Sequence, residues 1–288
     1  MRTRPATLDD VPALTALQGR WDTHWFGAPE HDESELRLSF DRVDPLDECS
    51  RLVLDEDGTP VAAAWWWGND SHLTVDPGLE PGAVYADLLG WLRAGGAQVV
   101  EVLSTDDQQE AALQADGWVY QLSSFELLRE VTPDWQLAEP TWPEGVRTAP
   151  LGPDDAAAAH DLIYRQAGWA QIPGHGERDL QEWLGLFLGE DVPRDQQVLA
   201  LEGDRLVGVA LGRTFSDGTG WVSQLAVPAP DRGRGLGRAL LLEALRRQVD
   251  AGAQRLGLGV SAQNPDALRL YLDIGLVVDR EWRSYRPA

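Results

Sequence analysis

The chain is 288 residues long with 43% hydrophobic and 25% charged residues, which excludes a disordered chain and, at about 150 residues per domain, points to two domains. No apolar run approaches the roughly 18 residues of a bilayer crossing, and a single cysteine, Cys49, excludes an internal disulfide and a cysteine-built metal cage. Against 47 acidic residues stand 24 basic ones, all Arg, and the net charge of −23 opposes binding to nucleic acid or anionic membranes.

In chain order, Met1-Arg2-Thr3-Arg4 is basic but leads into no signal-peptide apolar segment, and with the lone cysteine this predicts a cytoplasmic protein. Leu8-Asp9-Asp10-Val11-Pro12 starts a helix, with acidic residues at the end where backbone N–H groups lack partners. His31-Asp32-Glu33-Ser34-Glu35 has metal-ligand residue types, although a solvated acidic loop fits it better. Residues 52–62 read as a hairpin around Asp55-Glu56-Asp57-Gly58. On the following strand Trp65 and Trp67 share a face opposite Trp66, for packing between sheet and helix or as a wall for an aromatic ligand. A strand ending Leu73-Thr74-Val75-Asp76-Pro77 precedes a loop, a long helix, Gly96-Ala97-Gln98, a strand, a helix closing at Asp116-Gly117-Trp118 and a last strand.

Residues 131–145 carry three prolines and no periodicity, and they read as a linker. The order then repeats. Gly152-Pro153-Asp154-Asp155 opens a helix, residues 198–208 form a hairpin, and Leu225-Ala226-Val227-Pro228-Ala229 ends a strand. Gly252-Ala253-Gln254 follows a long helix, and Ile274-Gly275-Leu276 ends the next one. Each half therefore reads as strand, helix region, three strands, helix, strand, helix, strand, an α/β (α+β) chain made by duplication. The predicted domains are 1–130 and 146–288. Their charges differ: residues 1–139 hold 8 Arg and 27 acids, a balance of −19, and residues 140–288 hold 16 Arg and 20 acids, −4. The second half is the better host for an anionic cofactor.

That half contains Asp231-Arg232-Gly233-Arg234-Gly235-Leu236-Gly237-Arg238 between an apolar strand and a helix. Glycines bring bare N–H groups close to a ligand, the helix start adds further free N–H groups, and Arg232, Arg234 and Arg238 add charge. Together these favour a pyrophosphate. No Gly-Lys-Ser/Thr follows, so this is not a Walker loop, and the glycine spacing fits no dinucleotide fold. About 30 residues later come Asn264, Ala267, Tyr271 and Gly275 on one helix, with Leu276 behind them.

These two segments resemble the GNAT superfamily of acyl-CoA-dependent N-acyltransferases. Arg232-Gly233-Arg234-Gly235-Leu236-Gly237 is similar to its Arg/Gln-x-x-Gly-x-Gly/Ala pyrophosphate motif, and Asn264 to Gly275 to its Asn-x-x-Ala-x-x-x-Tyr-x-x-x-Gly-Phe segment, with Leu276 in place of Phe. The resemblance is strong over 198–288 and weaker over 1–130, a tandem layout similar to that of mycothiol synthase-like enzymes with a decayed first copy. It implies two GNAT-like domains, each a mixed, mostly antiparallel sheet flanked by helices, with central strands splayed at the phosphate loop. It also implies an N-acetyltransferase that moves an acetyl group from acetyl-CoA, or another acyl-CoA, to a primary amine of a small molecule by direct attack. A non-catalytic acyl-CoA-binding sensor or scaffold is the rival.

On this resemblance backbone of Leu225 and Val227 lies along the pantetheine arm, and residues 232–238 hold the pyrophosphate. Asn264 hydrogen-bonds the cofactor, and Tyr271 protonates the departing thiolate. The general base stays open. Ser223 and Gln224 on the strand can hold a water, and His175 and Glu177 lie in a loop that lines the acceptor site in the family, while His160 reads as structural. In the first half the matching loop, Asp76-Pro77-Gly78-Leu79-Glu80-Pro81, lacks Arg and Gly-x-Gly spacing. Aligning Gly117 with Gly275 sets Leu113 at the place of Tyr271 and Asp106 at that of Asn264. No metal, one CoA per chain, and a monomer or weak homodimer are expected.

Overall fold

The computed structural model describes residues 1–41, 43–68, 70–79, 82–171 and 176–288. Contacts group them into two compact units, Met1–Ser124 with Glu281–Ala288, and Phe125–Arg280. The division expected from sequence differs at two places: residues 125–130 lie with the second unit, and residues 281–288 lie with the first.

The first unit begins with β1 (Arg2–Arg4), α1 (Val11–Phe26), α2 (Glu33–Phe40) and α3 (Leu46–Cys49). It continues with β2 (Ser50–Leu54), β3 (Pro60–Trp67), β4 (Asp70–Val75), α4 (Gly82–Gly95), β5 (Val100–Leu103), α5 (Asp107–Ala115) and the start of β6 (Trp118–Glu130). Strands β1-β2-β3-β4 form an antiparallel sheet in that order. Period-two alternation along β3 sends Ala62 and Ala64 to the core under α4, with Leu88, Leu89 and Leu92, and sends Ala63 and Trp65 to the core under α1 and α2. Trp65 is 2% exposed, meets Phe40 edge to face and donates to Ser39 Oγ, so the tryptophan run is packing. Residues 282–285, from the chain's last strand, pair antiparallel with β5 from Trp282–Leu103 to Tyr285–Val100.

A polar cluster lies inside this unit. Asp22 is fully buried and accepts from Gln18 Nε2, the backbone of Glu30 and His31, and His31 Nδ1. His72 stacks on Trp65 at 4.1 Å, with its Nε2 within 2.6 Å of Thr74 Oγ1. Burial holds the His72 imidazole neutral, its pKa lowered to about 3. The stretch 31–35 is a helix start: Asp32 caps α2 and Glu35 returns a bond to the Asp32 backbone. No group of metal-capable side chains occurs among the described residues.

The second unit takes the end of β6 and then β7 (Val146–Ala149), α6 (Ala156–Asp161), α7 (Leu180–Leu188), β8 (Val198–Glu202), β9 (Arg205–Thr214) and β10 (Thr219–Ala226). It closes with α8 (Leu236–Asp250), β11 (Arg255–Ser261), α9 (Pro265–Ile274) and the start of β12 (Val277–Pro287). Strands β7, β8, β9 and β10 are antiparallel neighbours, and β10 to β11 is the parallel step. One core, built on Leu236, Leu240, Leu241 and Leu245 of α8, covers one sheet face; a second, with Trp183 and Phe187 of α7 and Leu162, covers the other. The proline-rich stretch after β6 is packed rather than free: Val131 N–H donates to Gln254 O at 2.8 Å, and Trp135 lies under Gly275.

Both halves follow the order read from sequence, and local details match as well. Gly96 and Gly252 take positive φ after α4 and α8, and the next alanine N–H closes each helix end on Leu92 O or Gln248 O. No helix among the described residues is long and apolar enough to cross a membrane.

Candidate active site

A one-residue bulge sets the site's geometry. Val222 pairs with Gly212 of β9 but Gln224 pairs with Leu211, so Ser223 is the extra residue. The bulge reverses which side chains face which core. Val222 packs under α8, whereas Gln224 and Ala226 face α6 and α7, and Leu225 and Val227 take the α8 side. Buried glutamines support it: Gln197 bonds both backbone groups of Gly212, and Gln248 Nε2 donates to Trp221 O. Pairing between β10 and β11 runs from Thr219–Arg255 to Val222–Leu258 and stops there, although β10 runs on to Ala226 and β11 to Ser261. The strands splay in front of the glycine loop, as expected.

That loop forms the start of α8. Gly233 and Gly235 have φ of 75° and 85°, and a Cβ on either would meet nothing within 4 Å. Gly235 is the N-cap residue, with no side-chain cap, and Ala239 makes the first intrahelical bond back to Gly235 O. The N–H groups of Leu236, Gly237 and Arg238 thus precede the first intrahelical bond, at the positive end of the helix dipole. Leu236 is 1% exposed and anchors the turn in the core, and Gly237 sits near Leu270 of α9. An anion fits this cradle.

The arginines divide. Arg238 is exposed in the first turn of α8. Arg232 donates Nε to Val227 O at 3.1 Å and a terminal nitrogen to Ala167 O at 2.8 Å, so the Val227 carbonyl already has a donor. Arg234 donates to Asp231 at 2.8 Å and to Glu202, and Arg205 donates to Asp231 at 2.7 and 2.9 Å and to Glu202 at 2.6 Å. The Arg205 hydrogen bonds, then Arg234, hold the Asp231 carboxyl below its ordinary value. Sequence reading missed Asp231, Glu202 and Arg205; the acid-to-arginine spacing of three at 231–234 and 202–205 was the available signal.

Tyr271 lies on α9, 7% exposed, its ring in the core with Leu236 and Leu240. Burial raises its phenol to about 12, so the hydroxyl keeps its proton. Asn264 is exposed and caps α9, its Oδ1 accepting from Ala267 N–H at 3.2 Å.

On the other side of β10, Gln224 is 6% exposed and tied at both ends, accepting from Trp183 Nε1 at 2.9 Å and donating to Tyr164 OH at 3.3 Å. Tyr164 sits in a π-helical turn, Leu162–Gln166, that continues α6. Ser223 is the exposed residue of the bulge. Glu177 pairs with Arg165 at 3.0 Å on the surface. His160 is 8% exposed, with Nε2 at 2.8 Å from Arg178 O and its ring against Trp183, a structural role. His175 lies outside the described residues.

At the equivalent first-unit positions the cap is present and the tyrosine is not. Asp106 accepts from Gln109 N–H, three residues on, as Asn264 does in α9, and Leu113 is fully buried where Tyr271 stands. Gly78 N–H is taken by Asp76, whose carboxylate also pairs with Arg20 at 2.6 Å. Glu80 and Pro81 lie outside the described residues.

Several known proteins are similar to this chain. Residues 159–276 match the acetyltransferase (GNAT) family. A mycothiol acetyltransferase of Segniliparus rotundus is 33% identical over 52% of this chain and 58% of its own length, so the chain spans under two thirds of that relative. Another, of Thermomonospora curvata, is 29% identical over 88% of this chain and 92% of its own. Among solved structures, a GCN5-related N-acetyltransferase from Sphaerobacter thermophilus superposes with TM-score 0.84 at 23% identity, covering 100% of this chain and 96% of that one. A tandem GNAT protein from the clavulanic acid biosynthesis pathway gives 0.72 at 15%, covering 99% and 97%.

Proposed function

From a chain whose second half carries an acetyltransferase domain of the GNAT family, we propose an N-acetyltransferase that moves an acetyl group from acetyl-CoA to a primary amine of a small molecule by direct attack. The observation that carries this reading is the uncapped, glycine-bounded start of α8 at the mouth of the β10–β11 splay. Open space at Gly233 and Gly235 fits the pyrophosphate of the cosubstrate, held by the N–H groups of 236–238 with Arg238. Leu225 and Val227 line the approach from the α8 face of β10. Asn264 spends its oxygen on the cap, which leaves its amide nitrogen for the cosubstrate.

In the reaction the amine nitrogen bonds to the acetyl carbon, the carbon–sulfur bond breaks, and the Tyr271 hydroxyl gives its proton to the departing sulfur while the ammonium loses one. The raised pKa keeps that hydroxyl loaded at neutral pH. Of the strand residues Ser223 is free to hold a water that takes the amine proton, because Gln224 is engaged by Trp183 and Tyr164. The net charge of −23 favours an uncharged or cationic acceptor. The relatives' name puts the unacetylated precursor of mycothiol first among amines to try. We place the reaction in the cytoplasm, with no nucleic acid or membrane partner and no metal, in a monomer or weak homodimer.

The test is release of free CoA from acetyl-CoA with a panel of small amines. Turnover of one or more is expected; CoA binding without turnover of any would leave an acyl-CoA-binding sensor or scaffold instead.

A further inference from the structure

The residue before the phosphate loop presents a paradox of sign. Asp231 puts a carboxylate next to a site read here as taking a polyanion, yet its side chain is only 5% exposed and is gripped by two arginines. We propose that Asp231 is a positioning residue for acetyl-CoA, braced by Glu202 and Arg205 from the β8–β9 turn so as to hold Arg234 and fix the turn on which the glycine loop depends. This inference rests on the proposed function.

The geometry has three parts. Arg205 donates two nitrogens to the two Asp231 oxygens, at 2.7 and 2.9 Å, in the bidentate manner that fixes direction as well as distance. Arg234 donates one nitrogen to Asp231 and another to Glu202, so the residue between the two positive-φ glycines is fastened at both ends of its guanidinium. Glu202 closes the ring through Arg205 at 2.6 Å. Two arginines and two carboxylates cancel, so Arg234 brings no net charge to the loop in this arrangement. What the group supplies is order. Gly233 and Gly235 leave the backbone with wide freedom, and the network restricts it before a ligand arrives.

Two pictures of Asp231 then predict opposite signs. If it acts as a nearby negative charge, removing that charge should tighten CoA binding. If it positions the loop, removal should weaken it. Asp231→Asn separates the two, with binding of CoA by calorimetry and the steady-state constants for both substrates as readouts. We expect CoA affinity to fall about tenfold and the KM for acetyl-CoA to rise in step, with kcat at saturation and the amine KM within twofold. Asp231→Glu, which keeps the carboxylate, should recover most of the loss.

Should Asp231→Asn fail to fold, Glu202→Gln on the turn is the second variant, with an expected loss of about threefold in CoA affinity. Unchanged or tighter CoA binding in a folded Asp231→Asn protein, or in Glu202→Gln where that variant stands in, overturns the positioning role. A loss confined to kcat overturns it too. Wild-type protein that binds no CoA overturns the proposed function itself, and this role with it.

Discussion

A tyrosine held almost out of water keeps its proton, and Tyr271 shows how one side chain can serve packing and chemistry together. Its ring fills a core position, so Tyr271→Phe should keep the fold and CoA binding. Loss of the hydroxyl should lower kcat by about 10²–10⁴, the usual range for a general acid. Steady-state turnover with the best amine measures it; full activity would pass the proton transfer to water. Gly235 is a different case. The protein leaves room for a side chain there, but φ of 85° is costly for any L residue, about 1–2 kcal/mol. Gly235→Ala isolates that cost, and Gly235→Glu adds a carboxylate at the anion cradle. CoA affinity in Gly235→Glu should fall at least tenfold, about 1.4 kcal/mol, by calorimetry. Both residues were legible in sequence because their types and spacing are local. Arg234 stands in the same motif, but its pairing was not legible, because its partner Glu202 lies 32 residues away.

At the scale of elements, the bulge in β10 decides which glutamine does what. Alternation alone would put Gln224 on the side of Val222; one added residue turns it toward Trp183 and Tyr164. Trp183→Phe leaves a buried Gln224 oxygen without its donor, which should lower unfolding free energy by about 1–3 kcal/mol in a denaturant titration. Sequence shows a strand here and even its end, but a bulge is the insertion of one ordinary residue, and nothing about Ser223 marks it. The sheet of the first unit carries its own element-level device, the neutral His72 stacked on Trp65. Its folded pKa lies below the ordinary 6.5, near 3, so the unfolded chain binds more protons between those values. Stability of the first unit should therefore fall as pH drops from about 6.5 toward 3, and His72→Gln should flatten that fall in thermal melts taken across the range.

Across the whole molecule, duplication is the feature the sequence carried best, because five landmarks recur in one order in both halves and the matched caps at Asp106 and Asn264 bear it out. The proposed site is built only once. With −19 over residues 1–139, Asp76 closing its own loop and Leu113 at the tyrosine position, one CoA should bind per chain, and calorimetry should give a stoichiometry of one. The unit boundaries were less legible. Prolines and missing periodicity mark where regular structure pauses, but strand pairing decides which unit a segment joins, and pairing is set by partners far along the chain. A fragment of residues 146–288 should accordingly be less stable than the second unit in the full chain, since it lacks residues 125–145 with their bond to Gln254 and the Trp135 contact.

The eight residues from Glu281 that complete the first unit have a consequence in time. A ribosome makes them after all of residues 125–280, so the part begun first is finished last. Domains of a growing chain ordinarily fold in the order of their synthesis. Here β5 stands without the partner that pairs its residues 100–103 until the second unit has been made. The second unit thus has every one of its residues before the older half receives its last strand pairing.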